Sequence, residues 1–186
     1  MLVLASASPR RRELLHHAGI PCVVRPAPGV DETPLPREKP EDYVQRLAEA
    51  KALAVEAAAD EIVLGADTTV VVDGRILAKP EDDADAARML EALSGRRHEV
   101  MTGICLRWGG RLVRDWSVTQ VWFATLSPED IAEYVRTGEP RDKAGAYAIQ
   151  GIASRFVDRI DGEHSNVVGL PVALVWKHLR ALNGSA

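Results

Sequence analysis

The sequence has few cysteines, few aromatic residues and no long apolar run. Two cysteines, Cys22 and Cys105, occur in 186 residues. Their spacing matches neither a disulfide framework nor a zinc site, so we expect two buried thiols in a reducing compartment. No apolar run reaches membrane-spanning length, and the short apolar start before Ser6 lacks the basic lead-in of a signal peptide. We therefore expect a cytoplasmic protein without a membrane partner.

Neither sign of charge dominates the sequence. It has 23 Lys and Arg against 27 Asp and Glu, for a formal net charge of −4. This balance argues against a broad nucleic-acid surface, so any phosphate binding should be local. The apolar fraction of 46% is enough for a hydrophobic core, and we expect residues 1–186 to form a single domain.

The common catalytic signatures are also missing. We find no Walker-type loop, no dinucleotide-binding fingerprint and no nucleophile elbow. His16 and His17 are adjacent in a helical pattern and would face apart, which excludes them as a ligand pair. Catalysis would therefore depend on dispersed acidic and basic groups.

Hydrophobic periodicity predicts a mixed α/β sheet flanked by helices. Asp73-Gly74 is a hairpin turn signal, and we expect Trp116, Val118 and Phe123 to pack in the interior. The segments 26–40, 139–151 and 161–169 are predicted to be loops. Strands are predicted at 1–4, 22–24, 62–72, 75–78, 100–106, 113–124 and 156–160, and helices at 9–18, 41–59, 82–93, 128–137 and 172–182.

The stretch Ala5-Ser6-Ala7-Ser8-Pro9-Arg10-Arg11-Arg12 joins the first strand to the first helix. Ser8 suits the N-cap and Pro9 the first helical position. A helix start with nearby arginines can bind a phosphate. From these eight residues alone, a capped surface helix with a solvated basic turn is the favoured interpretation, so the rest of the chain has to decide.

Two charged residues fall in apolar patterns. Lys51 lies in the middle of the apolar stripe of the second helix, where it either extends to the surface or points at an anion. Asp67 interrupts a buried strand, and a buried carboxylate must be paired, hydrogen-bonded or metal-bound. Gly65 allows a backbone or a ligand to come close to this strand. Asp67 is therefore either a site residue or a carboxylate satisfied by nearby amides or Thr68.

The dispersed charged groups suit a hard divalent cation that takes few carboxylates together with substrate phosphates. Phosphoanhydride hydrolysis needs neutralised charge and an activated water, which such a set would supply. The basic members are Arg10, Arg11, Lys51, Lys79 and Lys143, and the acidic members are Glu32, Asp67 and Asp142.

Taken together and in order, the motifs resemble the Maf family of nucleoside triphosphate pyrophosphatases. The resemblance covers nearly the whole chain. Its motifs are 5–11, Asp31-Glu32, Tyr43-Val44 to Lys51-Ala52, 65–68, Lys79-Pro80, Ser94-Gly95 through His98 to Thr102-Gly103, 138–140, 143–147 with 149–151, and Gly162 with 166–171.

The resemblance implies a strongly twisted mixed sheet with two lobes and a central cleft, as in the Maf and ITPase-like folds, and a homodimer. It also implies hydrolysis of a nucleoside triphosphate to the monophosphate and pyrophosphate with a divalent cation, Mg or Mn. By resemblance, Asp67 is the proton acceptor and, with Glu32, a metal ligand. The phosphate-binding positions are Ser8, Arg11, Lys51 and Lys79.

The positions that discriminate substrates in the family correspond to Arg10, Thr68 and Gln150. These residue types resemble the branch that acts on dTTP and UTP, and modified pyrimidine nucleotides stay open as substrates. One alternative is a pyrophosphatase for modified purine nucleotides such as 7-methyl-GTP, which a substrate panel would distinguish. Another is a nucleotide-binding regulator of cell division, which predicts binding without turnover.

Overall fold

A computed structural model describes residues 1–183 of the chain. Helices and strands are interspersed through these residues. The strands are β1 (Leu2–Leu4), β2 (Cys22–Val24), β3 (Ile62–Val72), β4 (Arg75–Leu77), β5 (Arg97–Trp108), β6 (Arg111–Phe123) and β7 (Val157–Asp161). The helices are α1 (Pro9–His17), α2 (Pro40–Leu53), α3 (Asp83–Leu93), α4 (Pro128–Arg136), α5 (His164–Val168) and α6 (Val172–Asn183), with 3-10 turns at Glu139–Asp142, Ala144–Ala146 and Ile152–Phe156.

The strands in residues 1–183 form one mixed seven-stranded sheet, in the order β2-β1-β3-β5-β6-β7 with β4 paired to β3. Strand β1 is parallel to both β2 and β3. The pairs β3–β4 and β6–β7 are antiparallel. The predicted α/β class, a mixed sheet flanked by helices, is confirmed.

The chain divides into two compact units, and strands β3, β5 and β6 contribute residues to both. The first contains Met1–Thr68, Thr102–Ser117 and the described residues from Gly169 onward. The second contains Thr69–Met101 and Val118–Val168. That residues 1–186 form a single domain stays a prediction.

In the first unit, side chains of β3 alternate between two helical layers, as the two-residue period of a strand requires. Leu64 belongs to a buried cluster with Leu15 of α1 and Val175 of α6. Val63 belongs to a separate cluster with Ala48 of α2. Helices α1 and α6 therefore cover one face of this strand, and α2 covers the other.

The second unit has its own core. Helices α3 and α4 contribute Leu90 and Tyr134, which pack with Phe123 of β6. Next to Phe123, the buried ring of His98 lies 2.8 Å from the Tyr147 hydroxyl through Nε2. Burial lowers the pKa of His98 to about 4, so this ring is neutral near pH 7.

Helix α2 is shorter than predicted, because it ends at Leu53 and not near residue 59. Its high helix propensity is overridden by tertiary contacts. Val55 is buried in one cluster with Val63 of β3, and Arg107 donates a hydrogen bond to the Val55 carbonyl. Because Arg107 of β5 binds the Val55 carbonyl, the chain leaves the helix after Leu53 and turns back toward β3.

Three smaller expectations are wrong. Trp116 and Val118 are exposed, since they lie on the solvent side of β6, whereas Phe123 is buried as predicted. Cys105 is buried but Cys22 is only partly buried. The predicted loop 161–169 contains the short helix α5. Among residues 1–183, no helix combines the length and apolar character needed to cross a bilayer.

Candidate active site

The site is built at the carboxyl end of β1, where the chain enters α1. Because β1 is parallel to a neighbour on each side, and because α1 and α2 cross over on opposite faces, this end is a topological switch point. Open α/β sheets bind ligands at such points. Ser8 caps α1 as predicted, accepting a hydrogen bond from the Arg11 backbone N–H at 3.5 Å, and Pro9 begins the helix.

Two glycines allow α2 to pack tightly onto the sheet. A Cβ on Gly65 would lie 2.1 Å from the carbonyl oxygen of Ala48, and a Cβ on Gly103 would lie 2.3 Å from that of Val44. Both contacts are with the backbone of α2, which resolves the question left by the sequence at Gly65. The close approach of this helix brings Lys51 over the face of β3 that carries Gly65 and Asp67.

Lys51 bridges two carboxylates. Its Nζ lies 2.6 Å from Oδ1 of Asp67 and 2.7 Å from Oε1 of Glu32. The lysine side chain is only 13% exposed, so its ammonium does not extend into solvent. An ammonium has three donors, and these contacts use two of them. Of the two explanations offered by the sequence, Lys51 pointing at an anion is correct, and the anions are carboxylates of the chain.

Asp67 is nearly buried, with 7% of its surface exposed. Burial raises the pKa of its carboxyl group, and the charges of Lys51 and Arg11 only partly oppose this effect. A carboxylate with a raised pKa is a stronger base than an ordinary aspartate. The arrangement therefore suits proton abstraction.

Arg11 organises the opposite face of β3. Its Nε donates to the Gly169 carbonyl at 2.8 Å, its Nη1 to Ser6 Oγ at 3.1 Å and its Nη2 to Thr68 Oγ1 at 3.0 Å. Burial lowers the pKa of Arg11, but a guanidinium remains charged near pH 7. These contacts use three of its five N–H groups and hold the cation close to the start of α1.

Glu32 lies in the connector between β2 and α2, and its side chain is 42% exposed. The hydroxyl of buried Tyr43 donates to the Glu32 backbone carbonyl at 2.8 Å. Arg46 pairs with Glu38 at 2.6 Å and donates to the Thr33 carbonyl. Side chains of α2 therefore hold this Pro-rich connector in place, and the connector carries Glu32 to Lys51.

The carboxylates of Glu32 and Asp67 fit a divalent cation that brings other ligands with it. Among residues 1–183, no group of three or more His, Cys, Asp and Glu side chains is placed to hold a metal ion. Magnesium commonly binds one or two carboxylates plus substrate phosphates and waters. The donor set thus suits a cation that arrives with a nucleotide, and not a cation caged by the protein alone.

The structure brings together the predicted residues Ser8, Arg11, Glu32, Lys51, Asp67 and Thr68 within the first unit. Arg10 lies in the first turn of α1 and is partly buried. Lys79 and Gln150 belong to the second unit, where both are exposed. Lys79 follows β4, and Gln150 lies in the loop before the last 3-10 turn. The roles of these three residues stay predictions.

The sequence analysis placed Ser6, Tyr43 and Gly169 in the family motifs but assigned them no role in the site. Tyr43 and Ser6 act through hydrogen bonds to Glu32 and Arg11, and the backbone of Gly169 accepts from Arg11. Ser6 gave one signal, because it stands in the small-residue turn at the carboxyl end of a strand. A backbone carbonyl 158 positions from its donor has no local sequence signal.

Comparison with known proteins identifies the class. A family model described as Maf-like protein matches residues 1–182. The chain belongs to the Maf family, which confirms the resemblance drawn from the sequence motifs.

Individual relatives are similar over nearly their whole length. The dTTP/UTP pyrophosphatase of Koribacter versatilis is 52% identical over 180 residues, covering 96% of this chain and 93% of that protein. The dTTP/UTP pyrophosphatase of Sphingopyxis alaskensis is 55% identical over 172 residues, covering 92% and 90%.

Likeness to solved structures is weaker. The Staphylococcus aureus Ham1 protein has a TM-score of 0.47 and 17% identity, covering 66% of this chain and 71% of that one. A HAM1 protein from Coxiella burnetii has a TM-score of 0.46 and 18% identity, covering 67% and 73%. Scores this low do not establish a shared fold, so membership of the family rests on the sequence comparison.

Proposed function

We propose that this protein is a nucleoside triphosphate pyrophosphatase that hydrolyses dTTP and UTP to the monophosphate and pyrophosphate. The observation that carries the proposal is the buried carboxylate of Asp67, which Lys51 contacts at 2.6 Å beside the switch point of the sheet. Relatives more than half identical to this chain bear the name dTTP/UTP pyrophosphatase. Modified pyrimidine nucleotides of the same shape are further substrates to test.

In the proposed reaction, Asp67 accepts a proton from the water that attacks the α-phosphorus. A bond forms between the water oxygen and that phosphorus, and the bond to the bridging oxygen of the β-phosphate breaks. Pyrophosphate leaves with the electron pair of the broken bond. The raised pKa of Asp67 makes its carboxylate a better acceptor for this proton.

The leaving pyrophosphate carries several negative charges, which preorganised cations and amide groups stabilise. We assign this role to Ser8 and the first turn of α1, to Arg11, to Lys51 through its third donor, and to Lys79. A divalent cation held by Glu32 and Asp67 would neutralise phosphate charge when bound. Arg10, Thr68 and Gln150 are proposed to select the base.

The direct test measures pyrophosphate release from the common and modified nucleoside triphosphates, with and without Mg or Mn. We expect turnover of dTTP and UTP that depends on the cation. Wild-type protein that binds dTTP but releases no pyrophosphate would instead support a regulator without turnover, and preferred cleavage of 7-methyl-GTP would support the purine alternative.

The assignment of the base is tested by Asp67→Asn. Loss of a general base costs roughly 10²-fold to 10⁴-fold in rate, and we expect a loss in this range. Asp158→Asn on β7, an exposed carboxylate, is the matched control and should turn over normally. Near-normal turnover of Asp67→Asn would show that another group takes the proton. A cytoplasmic location and a homodimer stay predictions from the sequence.

A further inference from the structure

Lys51 and a divalent cation would bind the same oxygen atoms. The Nζ of Lys51 lies 2.6 Å from Oδ1 of Asp67 and 2.7 Å from Oε1 of Glu32. Magnesium and manganese prefer oxygen ligands, which magnesium holds at about 2.0–2.1 Å. A cation that takes both carboxylates therefore needs the two oxygens that the ammonium already contacts.

The ammonium and the cation exclude one another at this position. A cation bound to both oxygens would lie either where Nζ lies or within a few ångströms of it, on the other side of the oxygen pair. The surroundings are largely dry, because Asp67 is 7% exposed and the Lys51 side chain is 13% exposed. Like charges repel strongly at such distances when little water screens them. One of the two must therefore leave before the other binds.

Lys51 can give way because only its side chain has to move. The backbone of α2 packs closely against Gly65 and Gly103, so the helix itself stays in place. A lysine carries its charge on a flexible four-carbon stem. The contact with Glu32 is the easier one to break, because this side chain is 42% exposed whereas that of Asp67 is 10% exposed, and exposed ion pairs contribute little.

A displaced ammonium needs a new anion. The Lys51 side chain stays in poorly exposed surroundings, where an unpaired charge is costly. A cation alone brings no anion to replace the carboxylates, whereas a nucleotide brings its phosphates. The cation and the nucleotide should therefore each raise the affinity of the protein for the other.

We propose that Lys51 is an internal competitor of the divalent cation. It holds Glu32 and Asp67 until a nucleotide arrives, and it then gives the two carboxylates to the cation and turns all three of its donors to the phosphates. The inference rests on the proposed function and deepens it, because it gives the site an order of binding. The cation enters with the nucleotide and not before it.

The test measures the binding of Mn²⁺ to the full chain without nucleotide, by electron paramagnetic resonance of the free ion. Lys51→Met removes the competing charge and keeps most of the aliphatic stem. We expect it to bind Mn²⁺ about tenfold to a hundredfold more tightly than the wild type, the value of a hydrogen bond to a charged group that no longer has to be broken. Lys51→Arg keeps a positive charge there and should bind Mn²⁺ as weakly as the wild type.

Two further variants locate the effect. Lys177→Met removes an exposed lysine of the same unit and makes the same change in net charge, so its affinity for Mn²⁺ should equal that of the wild type. Adding Glu32→Gln to Lys51→Met removes one of the two carboxylates and should abolish the gain. If Lys51→Met does not fold, Lys51→Gln also lacks the charge and should shift the affinity in the same direction.

The outcomes separate this inference from the proposed function. Wild-type protein that releases no pyrophosphate from dTTP or UTP overturns the proposed function, whatever its affinity for Mn²⁺. In an active protein, folded Lys51→Met or Lys51→Gln that binds Mn²⁺ no more tightly than the wild type overturns only the competition. An equal gain in Lys177→Met or in Lys51→Arg also overturns it, and so does a gain that survives Glu32→Gln.

Discussion

Gly65→Ala should damage the site through the backbone, although it adds only one methyl group. The new Cβ would lie 2.1 Å from the Ala48 carbonyl oxygen and 2.7 Å from the Ala52 nitrogen, whereas ordinary contacts begin at 3.4 Å. Both atoms belong to the backbone of α2 and cannot rotate away. Helix and strand must therefore separate. Lys51 lies between these two alanines in sequence and would move with the helix.

The distances indicate the size of the effect. Relieving the contact needs a separation of roughly 1 Å, and misplacement of this order can cost about 10²-fold in rate. Overpacking costs about 1–3 kcal/mol, against a gain of about 0.5–1 kcal/mol from removing a strand glycine. We expect a net loss of about 1 kcal/mol, within a range of about 0–2.5 kcal/mol, in the free energy of unfolding. The contact between Lys51 and Asp67, which is 2.6 Å in the wild type, would be broken or would re-form with a different geometry.

The assay pairs pyrophosphate release from dTTP with denaturant unfolding. Gly74→Ala is the control, because its φ of +73° strains an alanine while no atom lies within 4 Å of the added methyl. It should lose about 1 kcal/mol of stability with unchanged kinetics. If Gly65→Ala matches Gly74→Ala in activity at equal stability, close packing of α2 does not set the catalytic geometry.

Three further predictions concern the charges and supports of the site and core. Lys51→Met removes a positive charge that lowers the pKa of Asp67. The acidic limb of the kcat/KM profile should therefore move to higher pH. An unmoved limb would show that Lys51 does not influence the pKa of the base. The pKa of His98 is 6.5 in the unfolded chain and about 4 in the folded protein. As the pH falls, the unfolded chain therefore binds the proton first. The free energy of unfolding should drop by roughly 3 kcal/mol as the pH falls from 6.5 to 4. His98→Gln should remove that slope in urea unfolding, and an identical slope would refute the assignment. Tyr43→Phe removes the 2.8 Å hydrogen bond to the Glu32 carbonyl and should lower the free energy of unfolding by about 1 kcal/mol. It should also raise the cation concentration that gives the half-maximal rate. An unchanged cation titration would show that Glu32 does not need this hydrogen bond.

Local patterns predicted most of the elements because they are governed by nearby residues. Ser8 and Pro9 mark the start of α1, and Asp73-Gly74 marks the β3–β4 turn. Each signal depends on hydrogen bonds within a few positions. The end of α2 was mispredicted because it depends on Arg107, more than fifty positions away.

The alternation of apolar and polar residues in β6 could not predict which of its side chains are exposed. The pattern identifies two faces of the strand but does not say which face is covered. Trp116 and Val118 lie on the exposed face, although both are large and apolar. Which face is buried depends on the helices that pack there, and their placement is not encoded in the strand.

The sequence by itself determined the family, the mixed α/β class and the charged residues of the site. Those properties follow from ordered motifs and from the cost of placing Lys51 and Asp67 in apolar patterns. Only the tertiary structure decided that Lys51 joins Glu32 to Asp67, and that Arg11 contacts Thr68 and Gly169. The physical reason is that these bonds form between elements far apart in the chain, where packing against Gly65 and Gly103 sets the distances.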